Sequence, residues 1–194
     1  MSNKSLPFHQ RFRGFYPIVV DIETAGVNPN TNALLEIAMV MTTLNDDGQL
    51  IPGACVFEHI EQFEGAKLDA ASLEFNQIDP YQPLRFAVDE ATGLRRLLPH
   101  VKQALRDHHC HRAVLVGHNA WFDLLFLKAA MKRSNIASPF HAFTCFDTAS
   151  LAGLWFGQTV LAKAVQAAGI NYDASQAHGA VYDATITAEL FCHI

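Results

Sequence analysis

The chain has 194 residues, half of them hydrophobic and only 17% charged, which excludes a disordered protein and allows a sizeable buried core. A formal net charge of −5 excludes a protein coated in positive charge for non-specific binding of nucleic acid. Any such contact would depend on local patches, metal ions or stacking. The four cysteines lie far apart with no C-x-x-C pair, which argues against a zinc ribbon and predicts a reduced, cytoplasmic setting.

The predicted strands begin with residues 16–21, a short apolar run rich in β-branched side chains that is typical of a central strand. Further strands are predicted at 33–44, around 54–59, at 113–117 and, as a short edge strand, at 143–147. The first three strands follow one another closely, with an NDDG turn signal between the second and the third.

Helices are predicted at 67–80 as short pieces, at 87–109, 121–133 and 158–168, and from 177 to the end. Pro99 is expected to break or kink the second of these helices. Strands that cluster early and then alternate with helices predict an α/β fold, with a central mixed five-stranded sheet flanked by helices, in a single domain over residues 1–194. The last helix shows no helix-ending signal, so a C-terminal extension is expected to be missing.

Two carboxylates stand at the end of the first predicted strand, in Asp21-Ile22-Glu23-Thr24. Because side chains alternate across a strand, Asp21 and Glu23 project from the same face. Neighbouring carboxylates repel each other unless a positive charge lies between them, and Mg²⁺ or Mn²⁺ prefers oxygen ligands. The alternative is a pair of solvated acids at a strand end.

Two further motifs place an acid near the start of a helix. Asp123 closes GHNAWFD, where a carboxylate is also common simply because it favours a helix N-terminus. His178 and Asp183 lie in HGAVYD at the start of the last helix. A histidine on a loop suits general-base work near neutral pH, although an isolated surface histidine would need no such role.

Taken together, two acids on a strand, one on a middle helix and a His-x-x-x-x-Asp motif on a late helix resemble the DEDDh exonucleases, over most of the chain. The resemblance implies a ribonuclease H-like fold. It also implies that two Mg²⁺ ions, replaceable by Mn²⁺, are bound by four acids: Asp21, Glu23, Asp123 and Asp183. His178 would take a proton from the attacking water, and the product would be a nucleoside 5′-monophosphate.

The stretches RFRGFYPIVVDIETAG, HNAWFD, FTCFDTASLAG, GQTVLAKA and AHGAVYDA are similar to those of family members that trim single-stranded 3′ tails of transfer RNA and other stable RNAs. This similarity implies a 3′-to-5′ exoribonuclease that acts as a homodimer and also accepts single-stranded DNA. Asp147, in FDTAS, matches the same group of enzymes. We interpret it as a residue that supports the metal ligands or caps a helix.

Aromatic and basic residues indicate how a substrate would be held. Of the chain's aromatic residues 14 are phenylalanines, and most of them must belong to the core. The resemblance implies that three of them stack the 3′-terminal bases: Phe75, Phe122 and Phe143. Stacking contributes about 1–3 kcal/mol per base. Val27 stands where the family often has another phenylalanine, so base discrimination at the 3′ end is expected to be weaker or different.

Three basic residues match RNA-binding positions away from the catalytic centre: Arg11, Arg13 and Arg112.

Several alternatives stay open. A proofreading-type DNA exonuclease or an oligoribonuclease would use the same metal chemistry on another substrate. An inactive nucleic-acid-binding scaffold is an alternative of a different class. Such a protein would not need paired carboxylates facing an anionic ligand, so the acids disfavour it. A phosphatase or another metallohydrolase is disfavoured by the phenylalanines beside the acids, because these side chains suit a substrate that carries bases.

Overall fold

The computed structural model describes residues 6–194, which form five strands, six α-helices and three short 3₁₀ segments. The strands are β1 (Phe15–Thr24), β2 (Leu34–Leu44), β3 (Leu50–His59), β4 (Arg112–Gly117) and β5 (Phe140–Asp147). The α-helices are α1 (Ala70–Asn76), α2 (Glu90–Asp107), α3 (Trp121–Arg133), α4 (Thr148–Phe156), α5 (Leu161–Ala167) and α6 (Ala180–His193). The 3₁₀ segments are Phe8–Gln10, Phe12–Gly14 and Pro83–Arg85. The prediction of one domain includes residues 1–5, which lie outside the described residues, and it stays a prediction.

The strands form one sheet in the order β3-β2-β1-β4-β5. β1 lies at its centre, antiparallel to β2 and parallel to β4. β3 extends the sheet antiparallel to β2, and β5 extends it parallel to β4 on the other edge. The predicted mixed five-stranded sheet flanked by helices is confirmed, including the position of β5 as an edge strand.

The two faces of the sheet bury different sets of side chains because successive side chains of a strand point to opposite faces. Ile18, Val20 and Ile22 of β1 belong to the core beneath α2 and α3. Val19, between the first two, packs on the other face with the fully buried alanines of α6, which are Ala180, Ala184 and Ala188. Asp21 and Glu23 continue this second face, so the strand's own alternation points both acids towards α6.

The structure departs from the predicted elements mainly among the helices. Of the expected break or kink at Pro99, the break is wrong: α2 runs through the proline from Glu90 to Asp107. The proline lacks one helical hydrogen bond, but Leu97, Leu98 and Val101 are buried around it, and this packing holds the helix together. The helix predicted at 158–168 begins at Leu161, after a separate helix α4. Among the described residues, no helix has the length and apolar character needed to cross a membrane.

Candidate active site

The predicted acids meet where β1 ends. Asp21 and Glu23 lie at the C-terminal end of β1, and Glu23 pairs directly with Glu36 of β2. Asp183 lies in the first turn of α6, the helix that packs over this face. One carboxylate oxygen from each of Asp21, Glu23 and Asp183 falls within 4.8 Å of the other two. The structure therefore brings a strand pair and a helix acid into one cluster, as the sequence motifs predict.

Asp123 approaches the cluster from the other side of the sheet. It lies in the first turn of α3 and is only 5% exposed. The end of β4 leaves room for it, since a Cβ atom at Gly117 would stand 3.2 Å from Oδ2 of Asp123. A side chain at this position would crowd the carboxylate, so the glycine allows α3 to start close to β1.

Burial changes the acidity of all four groups, and repulsion from the other acids of the site adds to it at Asp21 and Glu23. Burial raises the pKa of Glu23 to about 8, with the charges of Asp183 and Glu36 adding to the shift. Burial also raises the pKa of Asp123 to about 8 and the pKa of Asp21 well above its ordinary value. The pKa of Asp183 is raised by burial as well, although a backbone hydrogen bond from His178 opposes the shift. Four acids in such surroundings cannot all stay ionised without a nearby positive charge.

The donor set fits a divalent cation. Every member is a carboxylate, which is the ligand type that hard cations such as Mg²⁺ prefer. Oδ1 of Asp183 is buried and has no hydrogen-bond partner among the described residues. A buried polar atom without a partner is costly, and a cation at the cluster would both satisfy this oxygen and offset the repulsion among the acids.

His178 stands just before α6, on the wall of the same cleft. Its backbone is left-handed, with φ at 67°, a conformation that costs a non-glycine residue about 1–3 kcal/mol. Its backbone N–H donates to Oδ2 of Asp183 at 3.0 Å, and its ring packs on Phe75 with centroids 4.3 Å apart. The constrained backbone and these two contacts hold the imidazole beside the acids.

The cleft has a volume of about 900 Å³ and mixes the acids with aromatic side chains. Phe75 and Phe122 line it, as does Val27, whose side chain is 78% exposed. Phe143 is not among the lining residues. It projects from the edge strand β5, is 81% exposed and contacts His141 at a centroid distance of 4.6 Å. Two of the three phenylalanines predicted to stack bases thus face the cleft, and the third lies on the surface outside it.

Asp147 connects the end of β5 to the site. It caps α4 by accepting hydrogen bonds from the Ala149 N–H at 3.1 Å and the Ser150 hydroxyl at 2.8 Å. It also accepts from the Asn119 N–H at 2.8 Å, in the turn that leads to α3 and Asp123. These bonds lower the pKa of Asp147, although its partial burial acts in the opposite direction. The predicted helix cap is present, and the support for the metal ligands stays a prediction.

The predicted RNA-binding arginines lie away from the cleft. Arg13 stands over the ring of Phe15 at 5.3 Å, at the start of β1, and Arg112 donates to the Ser138 carbonyl at the start of β4. Arg11 is partly buried and donates to the Gly48 carbonyl at 2.6 Å. Since β1 rises about 3.3 Å per residue, Phe15 is about 20 Å from Asp21. The arginines therefore flank the end of the sheet opposite to the acids.

Three polar residues at the site were not predicted from the sequence. Asn76, at the end of α1, is buried, donates to the Thr24 carbonyl at 3.1 Å and hydrogen-bonds Glu23, which lowers the pKa of that acid. His118 lines the cleft and is held by Thr148 Oγ1 at 3.0 Å and the Thr159 carbonyl at 2.8 Å. The third is Glu36, beside Glu23. Asn76 and Glu36 lie outside the motifs, and only the tertiary fold brings them to the acids. His118 lies inside the GHNAWFD motif, but nothing in the motif indicates that its ring lines the cleft.

Comparisons with known proteins agree with this geometry. The chain matches the RNase_T family, described as exonuclease, over residues 18–191. Ribonuclease T of Shewanella denitrificans is 53% identical over 194 residues, which cover 100% of this chain and 84% of that protein. Ribonuclease T of Photorhabdus laumondii is 50% identical over 197 residues, covering 100% of this chain and 91% of that protein.

Solved structures confirm the ribonuclease H-like fold. E. coli exonuclease I in complex with a dT13 oligonucleotide superposes with a TM-score of 0.69 at 16% identity, over 92% of this chain and 40% of that chain. The zinc-bound form of the E. coli exonuclease I–single-stranded DNA complex gives the same TM-score at 17% identity, with the same shares covered. The chain spans less than half of these structures, and the likeness concerns the fold alone. From the match over residues 18–191 and the identity to the two relatives, the chain belongs to the exonuclease family of ribonuclease T.

Proposed function

We propose that the chain trims single-stranded 3′ tails of transfer RNA and other stable RNAs, one nucleotide at a time, with two Mg²⁺ ions. Its family makes it a 3′-to-5′ exoribonuclease of the DEDDh type that uses a divalent metal. The proposal adds the substrates, the metal and its count, the residue roles and the release of nucleoside 5′-monophosphates. It rests on one observation above all: clustered carboxylates, one with an unpartnered buried oxygen, in a cleft that also exposes aromatic rings.

The four acids Asp21, Glu23, Asp123 and Asp183 would hold the ions. Bound divalent ions supply activation of a water and neutralisation of charge on the departing 3′ oxygen. His178 acts as general base and takes the proton of the attacking water at an imidazole nitrogen, which only its neutral form can do. The hydrogen bond from its backbone to Asp183 ties the position of the base to that of a ligand.

Phe75 and Phe122 bind the last bases of the tail by stacking, which tolerates most sequences. Phe75 also packs on His178, so a stacked base would lie next to the general base. Val27 occupies an exposed position on the same wall but offers no ring. This supports an enzyme with weaker discrimination among 3′-terminal bases. Single-stranded DNA is a further substrate, because stacking and phosphate contacts do not require a 2′-hydroxyl.

The positions of the arginines support a homodimer. Arg11, Arg13 and Arg112 lie at the other end of the sheet, about 20 Å along β1 from the acids, so they are poorly placed to grip a short tail in the cleft of the same chain. A second copy would present its arginines to this cleft and offset part of the net charge of −5. We place this homodimer in the cytoplasm.

The test uses an RNA hairpin with a label at its 5′ end and a short single-stranded 3′ tail. Incubation with Mg²⁺ is expected to shorten the RNA in single-nucleotide steps that stop near the duplex. EDTA or the Asp21→Asn variant abolishes shortening, whereas Asp46→Asn, a matched change of an exposed acid, preserves it. A tailed DNA hairpin distinguishes a DNA-specific exonuclease. No shortening of either substrate with any divalent metal, together with retained RNA binding, would favour the inactive scaffold.

A further inference from the structure

Glu36 is a mostly buried acid of β2 that lies between side chains of β1 and β3 on the α6 face of the sheet. It pairs directly with Glu23 of β1 and with His59 of β3, so the three side chains form a row across the sheet. Carboxylates directly opposite each other are destabilising, which makes Glu36 a poor choice for the sheet alone. Its side chain is 15% exposed, and the sequence motifs of the metal ligands do not include it.

Two groups lie against the Glu36 carboxylate. Oε1 lies 3.0 Å from Nδ1 of His59, and Oε2 accepts the backbone N–H of Ala180 at 3.4 Å. Ala180 is the first residue of α6, where backbone N–H groups lack helical partners and the helix dipole favours a negative charge. No side chain of α6's own N-terminal segment caps this helix, since its N-cap residue is Gly179. The cap is supplied from β2.

We propose that Glu36 is a positioning residue that holds the first turn of α6, and through it Asp183 and His178, against β1. Ala180 lies two residues after His178 and three before Asp183, and those two residues are themselves tied by the 3.0 Å hydrogen bond from the His178 N–H. Ala180 itself is fully buried against the sheet, so its N–H lies within reach of Glu36 on β2.

Hydrogen exchange in metal-free protein tests this positioning without relying on activity. Glu36→Ala is expected to speed amide exchange in the segment 178–183 by about tenfold. Glu36→Gln is expected to restore slow exchange, because its amide oxygen can still accept the Ala180 N–H. Glu58→Ala, a change of the neighbouring β3 acid that faces Arg96 on α2, is the matched control and leaves this segment unchanged. Fast exchange in the control, or normal exchange in Glu36→Ala, would overturn the proposal.

The kinetic consequence rests on the proposed function. Glu36→Ala is expected to lower kcat for tail trimming by about 10–100-fold, with little change in the KM for RNA, and Glu36→Gln to recover most of it. If Glu36→Gln lowered kcat as much as Glu36→Ala, the charge of Glu36 and not its hydrogen bond to Ala180 would be what matters, and the inference would be refuted. If the wild-type protein trims no RNA, the proposed function fails, while the exchange experiment still decides the positioning role.

Ala180→Pro removes the donor of the same hydrogen bond, because proline has no backbone N–H. Proline is tolerated in the first turn of a helix, and the extended backbone of Gly179 suits a residue that precedes proline. This variant keeps the test open if Glu36→Ala does not fold. The proposal predicts that Ala180→Pro speeds exchange at residues 181–183 and lowers kcat, and that the double variant is no worse than either single one. Additive effects on kcat would contradict it.

Discussion

Without metal, the crowded acids should make the protein less stable as the pH rises. Burial raises the pKa of Glu23 to about 8, whereas an unfolded glutamate titrates near its ordinary value of 4.5. Between these values the folded protein holds a proton that the unfolded chain has released. Stability from this group is therefore fully present below about pH 4.5 and is lost as the pH rises towards 8.

The size of the effect follows from the proton count. One extra proton bound in the folded state gives a slope of about −1.4 kcal/mol per pH unit in the free energy of unfolding. From about pH 5 to about pH 7, Glu23 alone would thus remove about 3 kcal/mol. Burial lowers the pKa of His118, which lines the same cleft, so the contribution of His118 to stability changes with pH in the opposite direction. A comparison of wild type with Glu23→Gln cancels this contribution, since both proteins contain His118.

Urea unfolding in EDTA at a series of pH values measures the difference. The free energy of unfolding of Glu23→Gln, relative to wild type, is expected to rise by about 3 kcal/mol across the window, because glutamine does not titrate. Saturating Mg²⁺ should remove most of the pH dependence of the wild type, since a bound cation favours the ionised acids and stabilises the folded state. A difference that stays flat with pH would refute the electrostatic reasoning.

Three further predictions concern the base, the substrate wall and the scaffold. His178→Ala is expected to lower kcat by about 100-fold or more while calorimetric Mg²⁺ binding persists, and near-normal turnover would remove the histidine from the mechanism. Val27→Phe should strengthen binding of a single-stranded 3′ tail by about 1–3 kcal/mol in EDTA, measured by fluorescence anisotropy, and an unchanged Kd would show that this wall does not reach the bases. Glu90 is buried and paired with Arg133 at 2.7 and 2.9 Å, so Glu90→Gln should cost about 3–5 kcal/mol in urea unfolding. Glu58→Gln at a more exposed pair should cost less than about 1 kcal/mol, and equal costs would contradict the role of burial.

Local patterns predicted the scaffold of the site well. The β-branched run of β1 and the apolar spacing of α3 depend on residues close in sequence, and both elements appear where the pattern places them. Strand alternation predicted that Asp21 and Glu23 share a face. Pro99 misled the prediction for α2 because the local rule ignores the burial of Leu97 and Val101 against the sheet, which holds the helix through the proline.

The remaining features depend on register and tertiary packing. Glu36 and His59 meet Glu23 only because β1, β2 and β3 pair in one particular register, which no local pattern specifies. Asn76 reaches the site from a short helix 52 residues away from the Thr24 that it contacts. Phe143 matched a base-stacking position by resemblance, yet β5 turns it to the outer surface. Its role in binding substrate stays a prediction.

The product of the reaction tests the central claim most directly, namely that the acid cluster and His178 hydrolyse the last phosphodiester of a 3′ tail. The substrate is a tailed RNA whose final internucleotide phosphate carries a radioactive label. With Mg²⁺, the first labelled product is expected to be a nucleoside 5′-monophosphate, and Asp21→Asn should release none. Label that stays on the shortened chain as a 3′-phosphate, or that leaves in an oligonucleotide, would contradict the account.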